Sequence, residues 1–348
     1  MYELKTLGFT PYFKTQAKET TCKIGRVVTS ANGIYRIFSP DGEFQGQVSG
    51  KFYHQTEQSR DFPCVGDWVL FEPMSGETKG IIHKVLERQS LLSRHVAGNR
   101  QEEQLIAANL DYVFLVNALN KDFNLRRMER YLMQVYESGA SPVFILTKKD
   151  LCTQDELEEK MAAVEEIAFG VPIIAVDSVN NDGIDKLQPF LEGNKTISLI
   201  GSSGVGKSTL INRILGKEVL KTQEVREDDD RGRHTTTHRE LFLIPTGGVV
   251  IDTPGMRELQ LWSSEDSASE TFQDIEQLAE QCKFRDCRHE KEPGCAIKEA
   301  IQTGKLSEDR FESYKKLQRE AKFHALKEKY GVQRASRMQY EGLHKGTW

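Results

Sequence analysis

Gly201, Gly206, Lys207 and Ser208 complete the pattern G-x-x-x-x-G-K-S, a spacing that holds phosphate. The apolar run TISLI precedes it and KSTLINRIL, helical in character, follows it. In that context the backbone N–H groups of Ser202, Ser203, Gly204, Val205 and Gly206 can curl around phosphate oxygens, and the helix start through Thr209 adds positive potential. Lys207 is expected to reach the β- and γ-phosphates, and the Ser208 hydroxyl to ligate Mg²⁺. Asp252, in Asp252-Thr-Pro-Gly255, ends the apolar strand VVI. A carboxylate there can hold Mg²⁺ through water, and the Gly255 N–H can approach a γ-phosphate. Between the two motifs lies GRHTTTHRE. A hydroxyl of Thr235, Thr236 or Thr237 can complete the metal shell, which would make this loop an order–disorder switch. Spacing does not choose among the three, and Thr236 is the ligand taken.

A phosphate loop alone does not select a base. Thr147, Lys148, Lys149 and Asp150 follow the apolar strand PVFIL in the form T-K-x-D. An Asp there can accept from both the ring N–H and the exocyclic amine of guanine, and adenine offers no such pair of donors. The Lys stem can lie along the base. Thr147 replaces the commoner Asn. Alone, the tetrapeptide is also compatible with a charged turn after a strand. Ser178, in AVDSVNNDGIDKL, stands where guanine-nucleotide proteins have a loop that backs the base. These base motifs precede the phosphate loop instead of following it, so the expected sheet is ordinary and its chain is opened elsewhere. The segment after Gly255 then leads straight into the C-terminal region, which connectivity would let the nucleotide control.

Hydrolysis needs a water in line with the γ-phosphate, and charge neutralised by Mg²⁺, Lys207 and backbone donors. Met256 occupies the place where many GTPases carry a water-orienting Gln, and a thioether cannot orient water. Intrinsic turnover is therefore expected to be slow. His234, beside the switch threonines, is the candidate replacement; packing or RNA contact is the competing role for it. Arg257 fits a structural ion pair better than charge stabilisation, and the acidic run Glu227 to Asp230 fits a solvated loop.

Cys282, Cys287, His289 and Cys295 follow the spacing C-x4-C-x-H-x5-C, three thiolates and one imidazole within 14 residues. That is a full tetrahedral set for structural Zn²⁺, with no position left open for catalysis. Unlinked cysteines beside a surface histidine are the plain alternative, and an iron–sulfur site is the third.

Three regions must position these residues. Between about 22 and 88 the runs CKIGRVV, GIYRIFS, FQGQVSG, GDWVLFE and GIIHKVL predict five short strands, with turns at Ala31-Asn32-Gly33 and Asp41-Gly42. They suggest a small barrel of OB or SH3 type, either RNA-binding or a spacer. Six apolar strands with intervening helices follow, DYVFLVNAL to GGVVIDTPG, a doubly wound, mostly parallel sheet. Leu125, Met128, Leu132 and Val135 share one helical face before Gly139. Leu157, Met161 and Val164 share another, with Gly170 as the stop. The last region is helical. From Arg310 onward ten Lys/Arg stand against four Glu, and Tyr314, Phe323, Tyr330 and Tyr340 are interleaved. Such a stretch can lie on RNA with some stacking, or be an amphipathic helix with a solvated basic side. The expected domains are 1–95, an OB-type barrel; 96–263, the permuted α/β nucleotide domain; and 264–348, a helical zinc domain with a basic tail.

The 348-residue chain is 38% hydrophobic with a net charge of -5, which argues against a uniformly basic nucleic-acid binder but not against a local basic patch. MYELKTLGFT lacks a basic start and an apolar core, so no signal peptide is expected. No run approaches the roughly 18 apolar residues of a membrane span. A cytoplasmic monomer without a membrane partner is the expectation.

The stretches GRVV, VGDWV, EEQLIAANLDYVFLVNALNKDFNLRRMERYL, LIGSSGVGKSTLIN, GRHTTTHREL, DTPGMRELQLW and CKFRDCRHEKEPGCAI resemble the RsgA family of small-ribosomal-subunit-dependent GTPases over nearly the whole chain. The resemblance implies GTP hydrolysis to GDP and phosphate, stimulated by the small ribosomal subunit, and a role late in that subunit's maturation. It implies ribosomal RNA contacts by the barrel and the zinc domain, and it supports His234 as the catalytic histidine. Asp177-Ser178 depart from the Ser-Ala or Ser-Ser more common in the base-backing loop, and the C-terminal tail is long.

Overall fold

A computed structural model describes residues 2–17, 21–56, 58–95, 103–220, 239–253 and 271–331, with 334, 335, 337 and 338. The chain divides into two compact units, Met1–Asn124 with Ser138–Gln260, and Leu125–Glu137 with Leu261–Trp348.

The first unit opens with a short helix α1 (Pro11–Gln16), started by proline, which buries Phe13 against Trp68. Five strands follow: β1 (Lys23–Ala31), β2 (Ile34–Ser39), β3 (Gly42–Val48), then, after helix α2 (Gly50–Gln55), β4 (Trp68–Pro73) and β5 (Lys79–Val85). They pair in the order β1-β2-β3-β5-β4, and β4 returns to β1, so the ring closes. All five strands stand where the apolar runs predicted them, and this is the OB arrangement. Asn32 and Gly33 both take positive φ, the turn chemistry of a tight hairpin. Inside lie Val27, Tyr35, Ile37, Val69, Phe71 and Ile82. Ile37 fills space that only glycine leaves free: a Cβ on Gly25 would sit 2.3 Å from its Cγ2, and one on Gly46 2.6 Å from its Cδ1. At one end of the barrel Arg26 is wholly buried, giving hydrogen bonds to the carbonyls of Leu7 and Gly66 with its guanidinium over Trp68. Burial holds its pKa down at about 10. A hairpin of β6 (Leu91–His95) and β7 (Glu103–Ala108) comes next. The sequence reading misses it because neither half has a clean period of two.

Strand β8 (Tyr112–Ala118) begins the larger sheet, and helix α3 (Leu125–Ser138) follows it. Then come β9 (Ser141–Thr147), α4 (Gln154–Ile167), β10 (Ile173–Ala175), α5 (Gln188–Leu191), β11 (Thr196–Ile200), α6 (Lys207–Leu215), β12 (Glu240–Leu243) and β13 (Val249–Asp252). The order is β10-β9-β8-β11-β13-β12; the first five strands are parallel, and β12 runs antiparallel. Val113 to Val116 are all fully buried, as a sheet covered on both faces requires. α4 starts on a capping box between Thr153 and Glu156. It ends at Ile167, earlier than the expected stop, and Gly170 takes its positive φ in the turn beyond. Through Thr29↔Glu240 the sheet continues from β12 into β1 of the barrel.

In the second unit α7 (Gln273–Glu280), α8 (Ala296–Gln302) and α9 (Glu308–Tyr330) surround a core of Phe272, Ile275, Ile297, Leu306, Phe311, Tyr314 and Leu317. Met133 of α3 belongs to this core. The buried Glu129 accepts from Arg126, Arg310 and Ser313 at 2.6 to 2.8 Å, and Arg310 also grips Asp274 through two hydrogen bonds. The sequence reading groups α3 with the sheet; its apolar face is as predicted, but Met133 and Glu129 pack with the C-terminal helices. Tyr314 is likewise a core residue, its hydroxyl donating to Glu276 at 2.8 Å, so it is not a ring for stacking on RNA. Among the described residues no helix is long and apolar enough to cross a membrane.

Candidate functional site

The carboxyl ends of β11, β9, β10 and β13 carry the phosphate loop, the T-K-x-D motif, the Ser178 loop and Asp252. A parallel sheet binds its ligand outside these ends. The sequence motifs, far apart in the chain, are therefore neighbours.

Gly201 leaves β11 so close to β8 that a Cβ would lie 2.2 Å from the Val116 carbonyl oxygen. Gly206, at φ 97°, is the N-cap of α6, so a left-handed residue delivers the chain into the helix. Val205 is buried in the sheet's core and anchors the loop, whereas Ser203 and Gly204 are exposed. Lys207, Ser208 and Thr209 form the first turn of α6. The Lys207 ammonium donates to the carbonyls of Gly201 at 2.7 Å and Ser202 at 2.6 Å, which holds it over the loop. Asp252 lies within the field of Lys207. Burial pushes its carboxyl up to about 6, and the Lys207 charge opposes that rise.

Thr147 carries the link between phosphate loop and base motif. Its buried hydroxyl donates to the Val205 carbonyl at 2.5 Å. The replacement of Asn by Thr thus keeps a side chain that can tie the two loops. Lys148 takes φ 60° at the turn, Asp150 is exposed on the single 3-10 turn Lys149–Leu151, and Lys149 pairs with Asp182 at 2.6 Å. Asp182 in turn exchanges backbone hydrogen bonds with Asp177. The Asp177 carboxylate accepts from the N–H groups of Val179 and Asn180 at 2.8 and 3.1 Å. Burial alone would raise its pKa, but these hydrogen bonds and that of the Asn180 side chain hold it below the ordinary value. This explains the unusual Asp: it shapes the turn that presents Ser178. The Ser178 Oγ is buried with no hydrogen-bond partner among the described residues.

Two residues absent from the sequence reading brace the site from α6. Arg213 donates through Nε to the Ser178 carbonyl at 2.8 Å and through Nη2 to that of Val179 at 2.9 Å. Asn212 accepts from the N–H groups of Val219 and Leu220 and donates to the Leu220 carbonyl, which fixes where the chain leaves α6 toward the threonine loop. The signal was their place five and six residues past Lys207 of the phosphate-loop pattern. His234, Thr235, Thr236, Thr237, Gly255, Met256, Arg257, the run Glu227 to Asp230 and Tyr340 lie outside the described residues.

In the second unit the donor atoms of Cys282, Cys287, His289 and Cys295 all lie within 4.8 Å of one another and can hold a metal ion. Cys282 Sγ is 3.9 Å from Cys295 Sγ, and His289 Nδ1 is 3.6 and 3.4 Å from these two sulfurs. Glu292 organises the connecting loop by accepting from the N–H groups of Arg288, Glu290 and Lys291. Backbone hydrogen bonds hold its carboxyl down at about 2.

A phosphate loop, a base motif ahead of it in the chain and an acidic strand end, gathered on one edge of a parallel sheet, define a circularly permuted P-loop GTPase. The family model for RsgA GTPase matches residues 85–262. The small ribosomal subunit biogenesis GTPase RsgA 2 of Lactiplantibacillus plantarum is 46% identical over 309 residues, 89% of this chain and 86% of that one. The chain belongs to the RsgA GTPase family and is a GTP hydrolase. The crystal structure of YjeQ from Thermotoga maritima superimposes with a TM-score of 0.63 at 29% identity, covering 86% of this chain and 98% of that one. YloQ, titled a circularly permuted GTPase, has the same fold, with a TM-score of 0.62 at 24% identity over 88% of this chain and 97% of that one.

Proposed function

We propose that this GTPase acts in late maturation of the small ribosomal subunit, is stimulated by that subunit, and contacts its RNA through the barrel and the C-terminal domain. The names of its relatives supply the subunit. The observation that supports the chemistry is the Thr147 to Val205 hydrogen bond, because it ties the T-K-x-D turn to the phosphate-loop pattern. In this reading Thr147, Lys148, Lys149, Asp150 and Ser178 take guanine, and Gly201 to Thr209 with Gly255 take the phosphates.

Ser208, Thr236 and Asp252 would hold Mg²⁺, a hard-oxygen donor set that suits it, and the ion supplies charge neutralisation at the β- and γ-phosphates. Lys207 adds its charge to the same oxygens. His234 orients the attacking water, and the thioether of Met256 leaves intrinsic turnover slow. The Cys/His cluster holds structural zinc. Three thiolates and one imidazole whose donor atoms lie within 4.8 Å of one another suit that ion, which would staple the helices around it. Its four donors leave no open position. The protein works as a cytoplasmic monomer, with the functional parts 1–95, 96–263 and 264–348.

The test is GTP hydrolysis by the protein alone, with small subunits and with large subunits, using ATP as control. Stimulation by small subunits only is expected. Lys207→Ala should lower the stimulated rate at least about 100-fold, the scale of losing a main electrostatic stabiliser. Equal response to both subunits, or to neither, would sink the ribosomal assignment.

A further inference from the structure

Glu240 is shared by the nucleotide sheet and the barrel. Its backbone is in register with Asp252 of β13 on one side and with Thr29 of β1 on the other. Its carboxylate Oε1 accepts from Arg36 Nη1 of β2 at 2.9 Å. The Nε of Arg36 lies 2.8 Å from Glu43 Oε1 of β3, and its guanidinium stacks over Phe38 at 5.3 Å. One arginine thus binds two barrel strands to the strand beside the magnesium-site aspartate. In sequence, Glu240 comes shortly after His234 and the switch threonines.

The pair is a weak stabiliser. Both side chains are about one-third exposed, 38% and 33%, and exposed ion pairs contribute little to folding. Its geometry serves orientation instead. β12 has four residues and meets the barrel at the single register pair Thr29↔Glu240. The barrel is also tied near β7, where the Ala108 N–H donates to the Val65 carbonyl at 2.9 Å, but Arg36 is the side chain that reaches β12 itself. It also lines a groove with Thr29, Asn32, Phe44 and Gln45.

We propose that Arg36 and Glu240 are a positioning pair that transmits docking of the barrel to the nucleotide site. Docking fixes the barrel; the pair makes β12 follow it; and β12 is the strand paired with Asp252 of β13. The inference rests on the reading that a docked small subunit stimulates hydrolysis, and it names the contact through which the stimulus passes. Neither residue belongs to the proposed nucleotide site.

The experiment compares Arg36→Ala, Glu240→Gln and the double variant with wild type. It measures basal hydrolysis, KM for GTP, affinity for small subunits and subunit-stimulated kcat. The Glu240 charge also helps to raise the Asp252 carboxyl, so the assays are run at about pH 8, where Asp252 is ionised with or without it; basal rate, KM and subunit affinity should then stay within about twofold. Stimulated kcat should fall about tenfold in each single variant, in the range of one allosteric coupling. The double variant should lose no more than either single, because both remove one contact. Normal stimulation in the single variants, or additive losses in the double, would overturn the proposal. So would weaker subunit binding in Arg36→Ala alone, which would make Arg36 a docking contact. A wild-type protein that small subunits do not stimulate would remove the ribosomal reading and this inference together; stimulated wild type with unaffected variants removes only the inference.

Discussion

Thr147 shows how much one hydroxyl can carry. It donates from the base motif to the phosphate loop, and its acceptor is a buried carbonyl. Thr147→Val keeps the shape and leaves that carbonyl unpaired, a loss of about 1–2 kcal/mol. GDP affinity should fall roughly tenfold in calorimetric titration, and an unchanged affinity would show that the tie does not position the base motif. Asp252 makes a prediction about pH. Burial raises its carboxyl to about 6 from 3.8, against the opposing charge of Lys207. The protonated form is the one the fold prefers, so its stabilising contribution is full below pH 3.8 and is lost as pH rises through about 6. Its proposed ligand role has the opposite sign, since Mg²⁺ requires the carboxylate. Magnesium-dependent binding of GTP should therefore weaken as pH drops through about 6, while nucleotide binding measured with chelator should show no such step.

At the scale of elements, α6 does more than carry the proposed phosphate contacts. Its first turn presents Lys207 and Ser208, and one face further along holds Arg213 against the Ser178 loop. One helix thus links the phosphate-loop pattern to the Ser178 loop, the two ends of the proposed site. Arg213→Ala removes two charge-assisted hydrogen bonds to carbonyls, and the base-backing loop loses its brace. Dissociation of a fluorescent GDP should speed up about tenfold. If dissociation stays at the wild-type rate, the loop is held by its Asp177 turn alone. The Glu129–Arg310–Asp274 network has the same logic in the second unit, where a buried arginine joins α3, α7 and α9.

The whole molecule contains separate cores. Val27, Ile37 and Phe71 fill the barrel, Phe114, Val116 and Leu199 fill the sheet, and Phe272, Ile297 and Leu317 fill the helical unit. Cys282, Cys287 and Cys295 belong to or pack against the last of these, so the metal cluster and that core support each other. If the proposed zinc staples this unit, the unit folds with its ion. Treatment with a strong chelator should melt the C-terminal helices, seen as a lost fraction of helical circular dichroism, and leave GDP affinity within about twofold. A parallel loss of GDP binding would mean that the first unit depends on the metal.

The sequence by itself carried the candidate chemistry. The glycines before Lys207, the T-K-x-D turn, Asp252 and the Cys/His spacing each act through a few consecutive residues, so local order specifies them. The five barrel strands and the apolar strands of the sheet were legible for a related reason: their period sets which side chains are buried. Tertiary structure decided what those faces meet. α3 shows its apolar stripe in the sequence, yet only packing joins Met133 to the C-terminal core. Tyr314 has the composition of an RNA contact, and only its burial and its bond to Glu276 make it structural. Arg213, Arg36 and Glu240 carry no motif, because their partners are about 35 to 204 positions away and the direction of a long side chain is fixed by the elements around it.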